Sequence, residues 1–244
     1  MRILGLLAAC LFMAGSLNAG TSRPEWVRFD GGRFIMADSV DVSDFGSPRP
    51  SREIVVGSFE MSRTAVTVEQ YKACVIEGVC TPPDSGGLCN WGRSGRELHP
   101  VNCVTREQAA QYAGFMRARL PTEAEWEFAA SGGMESRRYP WGNREPGCEN
   151  AVMNGLSGFS CGNDFGTQPV CSRPSGNTPE GLCDMAGNVY QWMADDVEVA
   201  AGGQVSVGRG GSFADFDVWM LRIGSRARFS RDRGYDNVGF RIVK

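Results

Sequence analysis

Cysteine is the residue type with the most chemistry to offer in this chain, and nine are present. Cys10 stands alone near the start. The other eight are Cys74, Cys80, Cys89, Cys103, Cys148, Cys161, Cys171 and Cys183. A zinc centre needs thiolates and imidazoles at short, paired spacing. No C-x-x-C occurs and His99 is the only histidine, which argues against zinc. Disulfides are the other use of many cysteines. Eight cysteines allow 105 pairings by spacing alone. Sequence neighbours flanking Gly- or Pro-rich loops give the expected set 74–80, 89–103, 148–161 and 171–183. The single histidine also excludes any mechanism that needs two imidazoles.

Disulfides require an oxidising compartment, and the first residues supply a route to one. Arg2 precedes the apolar run Ile3 to Gly15, and Ala19 offers a small residue at a cleavage point, so residues 1–19 read as a signal peptide. Leu7-Ala8-Ala9-Cys10 resembles a lipoprotein acceptor box, but cleavage there would leave too short an apolar region. Cleavage after Ala19 removes Cys10 and leaves an even number of cysteines. No later stretch is apolar and long enough to span a bilayer, so membrane insertion is not expected. The absence of any Asn-X-Ser/Thr sequon favours a bacterial periplasm as the compartment. The formal charge of −3 argues against nucleic acid as a partner. A hydrophobic fraction of 42% and a length of 244 residues suit one globular domain, expected over residues 20–244.

The elements that must position these groups are short. Phe34-Ile35-Met36, Ile54-Val55-Val56 and the terminal run Val238 to Val243 read as strands. Three capping boxes mark helix starts: Thr67 with Gln70 before Val68 to Ile76, Thr105 with Gln108 before a helix to about Ala118, and Thr122 with Glu125 before Glu123 to Ala130. Trp126 and Ala130 fall on one helical face and should meet the core. From residue 132 to Gly187 regular patterning nearly vanishes. A loop region of that length needs disulfides or a bound cation to hold it.

Several segments, taken together, resemble the sulfatase-modifying-factor family, the domain of formylglycine-generating enzyme. They are Phe59 to Tyr71 (FEMSRTAVTVEQY), His99 to Val104 (HPVNCV), Arg119 to Ala130 (RLPTEAEWEFAA), Tyr139 to Asn143 (YPWGN), Gly181 to Trp192 (GLCDMAGNVYQW), Arg209 to Ser212 (RGGS) and Val238 to Arg241 (VGFR). Seven in order, from about residue 25 to the last residue, make the resemblance specific. It implies an α+β, C-type-lectin-like formylglycine-generating-enzyme fold, loop-rich, with short twisted sheets, a few helices and structural calcium. The calcium ligands carried over are the Asp184 side chain, the Gly187 and Val189 carbonyls and the Gln191 side chain. A family glutamate is replaced at Gln191. A second site would fall near Asn150 and Ala151, helped by Asn163 or Asp164. A turn held by Asn188 is the alternative for the first loop.

The family's oxidase binds copper(I) with two cysteines five positions apart, just after the Arg-Gly-Gly-Ser segment. The matching positions here hold Asp215 and Met220. A carboxylate is a poor partner for a soft ion. Copper is therefore not expected, and the chain reads as a pseudoenzyme with no catalytic residues. What remains on that face is Tyr190, Ser212, Asp215, Phe216, Asp217, Trp219 and Met220, a set suited to protein contact. Phe213 also lies on this segment, and the alternative is that Trp219 and Phe213 are core residues on strands and the acids are solvated. The arginines at 222, 226, 228, 231 and 233 read as ion-pair formers, and His99 as structural. The layout is similar to periplasmic accessory proteins of type VI secretion that act upstream of a membrane Ser/Thr kinase. That implies a non-catalytic, exported regulatory protein whose partner is the periplasmic part of such a kinase. The alternatives are a formylglycine-generating-type oxidase acting on a sulfatase cysteine, and a hypervariable lectin-like ligand binder varying within residues 213–237.

Overall fold

The structure is a computed structural model that describes residues 23–36, 39–41, 46–133, 137–154, 161–162, 164–198 and 204–244. The expected signal peptide with Cys10, and Asn163, lie outside these residues.

All three helices begin where the capping boxes put them. They are α1 (Val68–Ile76), α2 (Arg106–Phe115) and α3 (Glu123–Ser131). In each, the N-cap threonine accepts from the N3 amide, and the N3 side chain accepts from the N-cap amide. Two orphan donors per helix are thereby satisfied, which offsets the cost of starting a short helix.

The strands form three small sheets. The pair β1 (Trp26–Phe29) and β6 (Phe59–Ser62) is antiparallel, as is the pair β2 (Gly32–Met36) and β5 (Arg52–Val56). The largest sheet has six strands in the order β10-β7-β8-β9-β3-β4. Its members are β3 (Ser39–Asp41), β4 (Gly46–Arg49), β7 (Tyr190–Glu198), β8 (Gln204–Arg209), β9 (Ser225–Ser230) and β10 (Val238–Gly239). The terminal strand is shorter than its apolar run implied. It pairs in parallel with β7 over two residues, after which Val243 only bridges Met61 and Arg119. Arg241 interrupts the run because its guanidinium turns inward, as described below.

Two clusters make most of the core. Phe29, Phe34 and Phe59 surround Phe128 of α3 at ring distances of 5.4 to 6.3 Å. Tyr71 of α1 stacks on Tyr112 of α2, and Phe240 packs edge-on to both. Trp126 is fully buried, as its helical spacing required. Between α3 and the large sheet lies a buried ion network. Arg209 donates through Nε to Glu123 (3.0 Å) and pairs with Glu127 (3.2 Å), while Arg226 pairs with Glu123 (3.1 Å). Two guanidinia and two carboxylates neutralise one another where neither sign could stand alone.

From residue 132 to 187 the described residues hold no strand, and one 3-10 turn at Pro174–Gly176. Four disulfides staple the chain around and within this region: 74–80, 89–103, 148–161 and 171–183, the neighbour pairing expected.

Candidate functional site

The Asp184 to Gln191 loop turns sharply. Asp184, Gly187 and Asn188 all have positive φ, of 51°, 82° and 65°. A side chain at Gly187 would collide with the Val152 carbonyl 2.6 Å away, so only glycine fits. Asn188 holds the turn. Its Oδ1 accepts from the Gln168 amide, and its Nδ2 donates to the Gln168 carbonyl, both at 3.1 Å. The Asp184 carboxylate accepts from the Cys171 amide at 2.8 Å, which ties the loop to the 171–183 disulfide. Burial pushes the Asp184 carboxyl above its usual range, against the pull of the Cys171 amide and of Arg241.

Calcium is the ion the resemblance implies for this loop. Gln191 does not fit the role. Its Oε1 accepts from Trp126 Nε1 at 2.7 Å and from Arg241 Nε at 2.6 Å, so both lone pairs are used. Its Nε2 donates to the Asp184 carbonyl at 2.9 Å. Arg241 is fully buried, donates to the Cys183 carbonyl at 2.7 Å and reaches within 3.5 Å of the Asp184 carbonyl. One carboxylate and the carbonyls of Gly187 and Val189 remain, beside a resident cationic side chain. Calcium takes six to eight oxygens. The four-ligand set with Gln191 is therefore not assembled, and the turn is held by Asn188 and Arg241. The second loop differs, because its candidate oxygens are not consumed in the same way. Asn150 Oδ1 accepts from the Gly147 amide at 2.8 Å, and its buried Nδ2, a donor, has no partner. Asn150 Oδ1 keeps one lone pair beside that bond. Ala151 donates its amide to the Gly147 carbonyl, which leaves its own carbonyl out of that bond. Among the described residues, no three His, Cys, Asp or Glu converge as a metal centre.

The face after Arg209-Gly-Gly-Ser212 divides into a buried layer and an exposed one. Ser212 and Tyr190 are buried, at 0% and 3% exposure, so neither can touch a partner as the sequence had implied. They stand behind Asp215. Its carboxylate accepts from the Ser212 amide (2.7 Å), the Ser212 hydroxyl (3.0 Å) and the Tyr190 hydroxyl. Burial raises the Asp215 carboxyl above its usual range, with the serine and tyrosine bonds opposing. Asp215 is therefore a loop anchor. Asp217 caps the 3-10 turn Val218–Leu221, accepting from the Trp219 amide. Phe216 is 60% exposed, while Trp219 and Met220 are half-buried. Trp219 thus lies on a turn at the surface margin, not on a core strand. Phe165 was not singled out from the sequence. It is exposed and meets Phe213 edge-on at 5.2 Å, which extends the aromatic face. Only three-dimensional closure brings residues 165 and 213 together.

All eight described cysteines are in disulfides, so no thiolate stands near Asp215 or Met220. The expected arginine ion pairs are present in part. Arg226 pairs with Glu123 and Arg231 with Asp196, while Arg233 lies over the Tyr235 ring. His99 is buried and structural. Its Nδ1 meets Arg96 Nη1 at 3.1 Å and Thr167 Oγ1 at 2.9 Å. Arginine can only donate, so Nδ1 accepts and the ring proton sits on Nε2.

Known proteins share this scaffold. The sulfatase-modifying factor enzyme 1-like domain matches residues 14–244. The formylglycine-generating enzyme of Streptomyces coelicolor is 30% identical, covering 89% of this chain and 88% of its own length. The inactive C-alpha-formylglycine-generating enzyme 2 of Mus musculus is 38% identical over 59% of this chain, which spans about half of that protein (48%). The serine/threonine-protein kinase pkn1 of Chlamydia caviae is 33% identical over 70% of this chain and 28% of its own length. The solved structure of PvdO from Pseudomonas aeruginosa superposes with a TM-score of 0.71 at 24% identity, covering 91% of this chain and 95% of that one. The family model runs from residue 14 to residue 244, and the chain belongs to the sulfatase-modifying-factor family.

Proposed function

We propose that this chain is a non-catalytic, exported binding protein on the family scaffold. In this reading it resides in the periplasm and regulates a membrane Ser/Thr kinase pathway of type VI secretion by protein contact. The observation that carries the non-catalytic part is the chemistry at residues 215 and 220. Copper(I) oxidation of a substrate cysteine needs two thiolates. Asp215 is instead locked by Ser212 and Tyr190, and Met220, a thioether and not a thiol, packs against the Tyr139–Leu221 cluster. An inactive relative with 38% identity supports a scaffold maintained without the oxidase. Four disulfides support an oxidising compartment. Similarity to part of a Ser/Thr kinase supports the kinase connection. The contact face in this reading is Phe216, Trp219, Met220 and Phe165, aromatic and sulfur-bearing as interface centres are.

Two measurements test it. The purified protein, loaded with copper(I) and given a sulfatase peptide, should leave the peptide cysteine unchanged by mass spectrometry. Formylglycine above the copper-only background refutes the non-catalytic reading. A photocrosslinker at residue 216, activated in the native envelope, should capture the kinase's periplasmic part. Capture of no protein, or capture unchanged when the crosslinker is moved to exposed Val55, refutes the contact face.

A further inference from the structure

A separate cleft of about 640 Å³ opens between the first described residues, α1 and the end of α2. Its apolar wall is Trp26, Phe115 and Met116, and its cations are Arg23, Arg117 and Lys244. The volume lies within the range of small-molecule sites. Three observations mark it as more than a surface fold.

The first is charge. Lys244 is shared between the Glu60 carboxylate, at 3.1 Å, and the face of Trp26, at 4.3 Å. Arg23 and Arg117 are exposed, and neither has an ion pair among the described residues. Two guanidinia without an ion pair among the described residues therefore border an apolar trough. The second is backbone conformation. α2 ends in a Schellman turn: the Arg117 amide donates to Gly114 and the Ala118 amide to Ala113. The residue at that left-handed position is normally glycine, and α3 ends on Gly132 at φ 73°. α2 ends instead on Arg117 at φ 54°. A side chain there costs about 1 kcal/mol or more. The side chain is exposed, so it is free to reach a ligand in the cleft. The third is chemistry. A guanidinium fork recognises carboxylate or phosphate, and the Trp26–Phe115–Met116 wall recognises hydrocarbon.

We infer that this cleft binds an amphiphilic anion: a carboxylate or phosphate head held by Arg117 and Arg23, with an apolar tail along Trp26, Phe115 and Met116. The ligand comes either as a free amphiphile or as the head of an anionic lipid in a bilayer. This inference does not depend on the kinase reading, and its residues lie apart from Phe216 and Trp219.

The test uses the purified, disulfide-intact protein. Dansyl-undecanoate should bind saturably, with fluorescence transfer from tryptophan. Arg117→Gly is the decisive variant, since glycine suits the backbone at that position. It should keep or raise Tm while weakening binding about tenfold, the scale of one lost charge-assisted contact. Arg23→Ala should weaken binding in the same direction. Flotation with phosphatidylglycerol vesicles, against phosphatidylcholine vesicles as control, separates the sources. Dansyl-undecanoate binding without flotation assigns a free amphiphile. Flotation on phosphatidylglycerol only, lost in Arg117→Gly, assigns a lipid head. No binding to either probe, or binding that Arg117→Gly leaves unchanged, overturns the inference.

Discussion

Replacing His99 by Asn should remove a pH dependence from the stability of this protein. Burial, followed by the neighbouring Arg96 charge, lowers the His99 pKa from 6.5 to about 4. The unfolded chain binds a proton at ordinary pH values near 6.5, and the folded chain refuses it until about 4. Stability tied to the neutral ring is thus fully present above 6.5 and declines as pH falls through that window. For those two values, the loss at pH 5 relative to pH 8 is about 2 kcal/mol. Arg93 is exposed and Arg96 half-buried, so water screens the charge contribution and the expected loss is about 1–2 kcal/mol. Asparagine keeps an acceptor near the place of Nδ1 for Arg96 and Thr167 but does not titrate. Urea unfolding of both proteins at half-unit steps from pH 8 to 5 gives the comparison. Their difference cancels the carboxylates that also titrate. The wild type should fall against His99→Asn as pH drops, and an imidazole NMR titration should show a midpoint well below 6.5. A difference that stays flat over this range, or a midpoint at 6.5, refutes the account of a buried neutral ring.

Other substitutions probe the frame around the site. Glu123→Gln removes the carboxylate that Arg209 and Arg226 share and should cost about 3–5 kcal/mol in denaturant unfolding. Asp215→Asn should leave stability at pH 7 equal or higher, because burial raises the Asp215 carboxyl and ionising it becomes a penalty as pH rises above its unfolded value. Asp215→Ala, which leaves the Tyr190 and Ser212 hydroxyls unpaired, should lower Tm instead. EDTA should leave Tm unchanged, since Gln191 offers no free oxygen. A Tm rise with millimolar calcium that Gln191→Leu abolishes would refute that geometry.

The sequence was informative where the physics is local. A capping box spans three residues, so all three helix starts could be placed from threonine and its acidic or amide partner. Neighbouring cysteines closed short loops, and the pattern-poor middle was irregular. Long-range relations were not readable in the same way. Gln191 meets Trp126 across 65 residues and Arg241 across 50, and only the folded chain shows that its side chain is consumed by them. A buried arginine inside the apolar run Val238 to Val243 was the available signal, and it also explains why that strand ends early. Tyr190 and Ser212 looked like surface chemistry by type and position. Their burial behind Asp215 goes with long-range bonds, from the Phe213 amide to the Asn188 carbonyl and from the Tyr190 hydroxyl to Asp215. The place of β3 between β9 and β4 had no signal, because strands of three and four residues carry no usable alternation.

The disulfide pattern has a consequence for how the chain is assembled. The four bridges span 6, 14, 13 and 12 residues, and none encloses or crosses another. For a chain delivered N-terminus first into an oxidising space, the next cysteine to emerge is always the correct partner of the unpaired one. Oxidation in order of emergence then yields the native set directly, one pair at a time. A full-length reduced chain refolded in a tube meets all eight thiols at once and faces 105 pairings. On such delivery, order of emergence by itself would specify all four pairs.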